Sequence, residues 1–236
     1  MMTLLHVLFG TLALVVAPVA VFARKGGPWH RRCGFAFILA MAIVLFSAGF
    51  LWQAKGHMFL LPLAAVSGYL IFSGYRALMR HRRAVPDPFE DRVDMLAAGV
   101  AILAALGIVY LAATASTALM LQIRPALVGI GAIAVAFAAN ELLGFAAPRM
   151  PLGWLLSHFA GMVAAYVSAV TAFVVINAHD VPMMVRWSVP SLAGGAVIVV
   201  LTLRSVRSAR RRRTPAIIPG EPVATATARR DRFVLR

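Results

Sequence analysis

Residues 3–25 read TLLHVLFGTLALVVAPVAVFARK, a run of about 20 mostly apolar residues, long enough to cross a hydrocarbon core as helix. Two cations, Arg24 and Lys25, close the run and none precedes it. A secretory leader has the opposite arrangement, so this stretch is expected to stay in place as a first transmembrane helix. The pattern recurs along the chain. Of its 236 residues, 61% are hydrophobic and 13% charged, against roughly 45–50% and 25% in soluble domains. A soluble globular fold is excluded, and an all-α polytopic membrane bundle is expected.

Seven spans are predicted: Thr3 to Phe22, Cys33 to Trp52, Met58 to Leu78, Asp94 to Thr114, Pro125 to Ala147, Leu152 to Asn177 and Trp187 to Leu203. Breakers mark the connections, at Gly26-Gly27-Pro28, Lys55-Gly56-His57, Pro86-Asp87-Pro88, Pro148 to Gly153 and Asp180-Val181-Pro182. Connections this short predict that successive helices pack as antiparallel hairpins. Residues 1–203 thus read as a seven-helix membrane domain, and residues 204–236 as an arginine-rich disordered tail.

Basic loops are retained in the cytoplasm. Only Lys55, Arg124 and Arg186 fall on one side of the predicted spans; the other 20 of the 23 lysines and arginines fall on the opposite side. The N-terminus is therefore expected outside and the C-terminus in the cytoplasm, in a bacterial inner membrane. The tail holds ten arginines against Glu221 and Asp231, densest at Arg210, Arg211, Arg212 and Arg213. That block serves orientation and offers attraction to anionic lipid headgroups. No aromatic residues are interleaved with it, which argues against nucleic acid.

Charges at membrane depth need a partner or a purpose. Glu141 and His158 lie about seven residues either side of the turn around Pro148, which places them level. With Asn140 and Ser157 they are expected to make a polar layer between the fifth and sixth helices, either a Glu–His hydrogen bond or a proton-relay, ligand or metal position. The sixth helix also carries Met162, Tyr166 and Phe173 along one stripe, and Asn177 near its end. Gly161, Ala165, Ser168 and Ala172 form an adjoining stripe of small residues, read as a packing seam. His30 and His81 neighbour arginines and read as solvated interface residues. His6, His57 and His179 share the outer level and are a further candidate cluster. The one cysteine, Cys33, excludes an internal disulfide, a Cys-type zinc site and c-type haem attachment.

The motifs resemble those of a family of uncharacterised predicted integral membrane proteins of bacteria, grouped as a domain of unknown function. The resemblance runs through Leu203 and rests on His6 with Gly10, and on Lys25-Gly26 with His30-Arg31 and Gly34. Phe59 to Leu63 and Tyr69 with Ser73-Gly74-Tyr75-Arg76-Ala77-Leu78 follow, then His158, Met162, Tyr166, Thr171-Ala172-Phe173 and Asn177. Such proteins often carry Asp-Trp at the start of the fourth helix, where Asp94 is here followed by Met95. The resemblance implies topology and marks His6, His30, His158, Tyr166 and Asn177 as family-like positions, with no activity attached.

Three functions are carried forward. The first is b-type haem or redox work, with His158 and His6 as axial ligands and Met162 as a haem-edge residue. A proton-coupled small-molecule or ion transporter using Glu141 and His158 is the second. The third is a non-catalytic scaffold or partner-binding subunit. No acyl-transfer triad, phosphate loop or dinucleotide turn is present to signal an enzyme.

Overall fold

A computed structural model describes residues 1–55, 60–83, 87–114, 116, 118–146 and 153–213. Seven α-helices lie among them: α1 (Met2–Phe22), α2 (Pro28–Lys55), α3 (Leu60–Arg82), α4 (Pro88–Thr114), α5 (Ala118–Ala146), α6 (Gly153–Asn177) and α7 (Met183–Arg213). All of these except α3 are long and apolar enough to span a membrane. The chain is a polytopic helical membrane protein. Two compact units divide at Ile198; the first holds α1 to α6 and the start of α7, and the second begins at Val199 within α7. That helix runs past Leu203 to Arg213, so Arg204 to Arg213 are helical. Residues 214–236 and His57 lie outside the described residues.

Within the first unit, small residues set the helix spacing, because lipid offers no hydrophobic drive for helix association and close van der Waals packing has to supply it. Ala13, Ala17 and Ala20 are the buried face of α1, and α1 pairs with α2. Ala98, Ala101, Ala105, Ile108 and Ala112 line the buried face of α4, which pairs with α5. There Gly131 comes so close that an added Cβ would lie 3.2 Å from the Ala105 carbonyl oxygen.

The third helix is the hub, packed on α2, α4, α5 and α6. Its stripe Ser67, Leu70, Gly74 and Ala77, spaced three and four residues apart, faces α6. The crossing point is a pair of glycines. A Cβ on Gly161 would lie 2.7 Å from the Leu70 carbonyl oxygen and 3.0 Å from the Gly74 Cα. Ser67 and Ser168 hydroxyls meet at 2.7 Å higher in the same seam, and His81 stacks on Trp154 at its far end, with ring centroids 3.8 Å apart. The expected small-residue seam on the sixth helix is therefore this interface.

Packing of successive helices holds for α1 with α2, α2 with α3, α3 with α4 and α4 with α5, while among the described residues α5 and α6 are not a packed pair. Both helices pack on α3 instead, because α3 carries the glycine for one and the polar groups for the other. Three cations cap the helix that precedes them, donating to carbonyls of its last turns: Lys25 to Ala20 and Val21, Arg124 to Ala113 and Arg186 to Val175. A cation there satisfies unpaired carbonyls and complements the helix dipole.

Gly161→Ala places a methyl group against backbone that cannot move aside, so it is expected to cost about 1–3 kcal/mol and lower the thermal midpoint in detergent. Gly99→Ala, where nothing lies within 4 Å, is the matched control and leaves the midpoint unchanged or raised.

Candidate functional site

Two polar centres gather at the end of the first unit where α1, α3 and α5 finish and α2, α4 and α6 begin. The first is ionic. On α3, Tyr69, Ser73, Arg76 and Arg80 share one stripe, about a third of a turn around the helix from the stripe that meets α6. Arg76 Nε donates to Asp94 Oδ1 at 2.5 Å and its NH1 to Glu90 Oε2 at 2.9 Å. Arg80 NH1 donates both to Asp94 Oδ2 at 2.6 Å and to Glu141 Oε1 at 2.5 Å. The second oxygen of Glu141 accepts from the Ser73 hydroxyl at 2.5 Å and from the Tyr69 hydroxyl at 3.3 Å. Arg83 pairs with Glu90, and the Arg80 guanidinium also lies over the Phe145 ring, 5.2 Å from its centroid.

Three guanidinium groups thus face three carboxylates. The Asp94 side chain is fully buried and that of Glu141 is 4% exposed, so each charge survives burial only because its counter-charge is in contact. The network binds α3 to α4 and α5. Its formal charges cancel and both buried carboxylates are hydrogen-bonded, which is the form of a structural clamp, although Arg83 keeps one buried guanidinium nitrogen without a hydrogen-bond partner among the described residues.

The second centre is a pair of imidazoles. His158 of α6 hydrogen-bonds through Nδ1 to the Gly74 carbonyl oxygen at 2.9 Å. His30 of α2 does the same to the Ala20 carbonyl oxygen, also at 2.9 Å. A carbonyl can only accept, so each Nδ1 carries a proton, and in the neutral form of each ring the lone pair is on Nε2. Neither Nε2 has a hydrogen-bond partner among the described residues. The ring centroids are 6.5 Å apart and the planes 76° from parallel. Half-buried Tyr166 faces Phe37 edge-on one level deeper, at 6.5 Å, and Met162 packs against the main core beside it. Arg82 and Lys25 are close enough to act electrostatically on His158, and burial holds the Lys25 ammonium below its usual range.

Several expectations change here. Glu141 and His158 do not form a layer between α5 and α6; they dock on different faces of α3, Glu141 on Arg80, Ser73 and Tyr69, and His158 on Gly74. Asn140 is exposed, because it follows the outward face of α5 when Glu141 turns in. His6 is not near His158. Its Nδ1 meets the Ser47 hydroxyl at 2.9 Å, whereas His158 adjoins His30, which is tied to Ala20. His6 and Ala20 are 14 residues apart on α1, about 21 Å along the axis. One iron cannot take both His6 and His158. His30, expected to be solvated, is half-buried and is the actual neighbour of His158. Asn177 is exposed and bonds its own helix at Phe173, and His179 is exposed in the following turn.

The sequence reading passed over Arg76, Arg80, Asp94, Tyr69 and Ser73 as site residues. The available signal was the 4-3-4 spacing of Tyr69, Ser73, Arg76 and Arg80. Asp94 escaped notice because the fourth helix was expected to begin there, whereas α4 begins at Pro88 and carries Asp94 nearly two turns inward. Among the described residues no group of three or more His, Cys, Asp or Glu is arranged to hold a metal ion. No family model, curated protein or solved structure matches the chain.

Arg80 holds two buried carboxylates at once, so Arg80→Ala leaves both uncompensated and is expected to cost about 3–5 kcal/mol. Glu141→Gln keeps an acceptor for Ser73 and Tyr69 and is expected to cost clearly less. Denaturation of the two variants in the same detergent ranks them; equal losses would mean that Arg80 is not the keystone of the cluster.

Proposed function

We propose that the chain is a membrane-embedded haem b protein with a redox role, in which His30 and His158 would hold the haem. The observation that carries this reading is the imidazole pair itself: two rings from two helices, each anchored through Nδ1–H to a backbone carbonyl. That second-sphere bond fixes the tautomer and orientation of ligating histidines in metal sites. Two metal–imidazole bonds of about 2 Å each, with the two ring radii, span about 6 Å, against the 6.5 Å between these centroids. Lys25 and Arg82 supply positive charge for the carboxylates of a haem, and among the described residues no carboxylate acts on His158 to favour a bare metal dication. Bound haem would supply one-electron exchange between ferric and ferrous iron. The protein's share is to hold both rings, through Gly74 of α3 and Ala20 of α1, and to line the approach with Phe37, Tyr166 and Met162.

The transporter reading depended on Glu141 and His158 sharing a pathway, and the separation of those residues on α3 leaves it without one. The resemblance to uncharacterised bacterial integral membrane proteins, together with the 20 cations predicted on one side, supports a further part of the proposal. The chain would lie in a bacterial inner membrane, N-terminus outside, with its C-terminal arginines on anionic lipid.

Protein purified in mild detergent from haem-replete cells is expected to show a Soret band of a low-spin, six-coordinate haem. His30→Ala and His158→Ala each abolish the band or shift it to a high-spin form, and His6→Ala leaves it unchanged. A colourless preparation, or a band indifferent to both substitutions, overturns the reading in favour of a non-catalytic scaffold.

A further inference from the structure

The turn between α1 and α2 borders an open surface cavity of about 560 Å3. Its walls differ in character. Val19, Phe22 and Ala23 make an apolar side that continues the lipid-facing surface of α1, and Arg24 and Lys25 make a cationic side at the turn. Phe22 is 88% exposed and Trp29, at the rim, 65%; an aromatic at this level belongs to the boundary between acyl chains and headgroups. Gly26 sits at a φ of 74°, which side-chain-bearing residues rarely adopt, and the Gly27 N–H bonds back to the Arg24 carbonyl at 2.9 Å.

Charge selects the occupant. Residues 19–32 contain no aspartate or glutamate, and the buried carboxylates of the bundle are held by Arg76, Arg80 and Arg83. Arg24, Arg31 and Arg32 make no ion pair among the described residues, so the turn presents uncompensated positive charge beside an oily wall. That combination matches one chemical class, an amphiphile with a phosphate head and hydrocarbon tails. We propose that this cavity holds the headgroup of an anionic phospholipid, its phosphate on Arg24 and its acyl chains along Val19 and Phe22. The proposal uses neither imidazole and shares only Lys25 with the haem reading, so its test is placed on Arg24.

The test is lipid retention by the detergent-purified full chain, followed by native mass spectrometry with phosphatidylglycerol and phosphatidylcholine, and with soluble glycerol phosphate as competitor. Phosphatidylglycerol is expected to be retained over phosphatidylcholine. Arg24→Ala is expected to weaken that retention about fivefold, the factor corresponding to ~1 kcal/mol per basic residue at a membrane surface. Arg92→Ala removes an equal, exposed charge on α4 and is expected to change nothing; both variants keep the Soret spectrum of the parent protein, whatever that is. Equal retention of the two lipids overturns the proposal, as does an Arg92→Ala effect equal to that of Arg24→Ala, which would mean diffuse attraction. Competition by glycerol phosphate at concentrations comparable to the lipid also overturns it, and reassigns the cavity to a soluble phosphate.

Discussion

Two half-buried arginines on one helix govern this bundle. A guanidinium in hydrocarbon costs several kcal/mol unless a carboxylate is brought to it, and Arg76 and Arg80 lie on the same face of α3. Bringing Asp94 and Glu141 to them fixes where α4 and α5 must stand. The opposite demand comes from the neighbouring face of α3, which offers Gly74 and an accepting carbonyl to α6. One helix thus organises the unit by presenting charge to two neighbours and bare backbone to a third. The motif Ser73-Gly74-Tyr75-Arg76 compresses this division into four residues: Ser73 and Arg76 turn to the ionic side, Gly74 to the α6 crossing, and Tyr75 outward.

Architecture was legible from the sequence because hydrocarbon thickness translates directly into run length. The small-residue seam was equally readable, since glycine and alanine at i, i+4 spacing have one common use between membrane helices. Partner choice was not. Depth along a helix follows from counting residues, but the direction a side chain points relative to a third helix depends on how the bundle closes. Glu141 and His158 are level, as the count implied, and still meet different residues, because α3 provides a binding face for each. The same gap hid His30: its arginine neighbours describe its surroundings in the chain, whereas its packing is decided by α1 and α6.

The cations on the sparsely charged side also acquire a reason. Arg124 and Arg186 each cap the carbonyls that end the preceding helix, so their position answers a local electrostatic need. Lys25 does the same for α1 at the crowded end.

The shared guanidinium of Arg80 bears on how the chain is made. During synthesis α3 emerges well before Glu141, and until α5 arrives its charged stripe has no complete set of counter-ions. A helix in that state is poorly suited to release into lipid as an isolated segment. Its stable placement is therefore coupled to the arrival of α4 and α5, and the three helices assemble as a cooperative group.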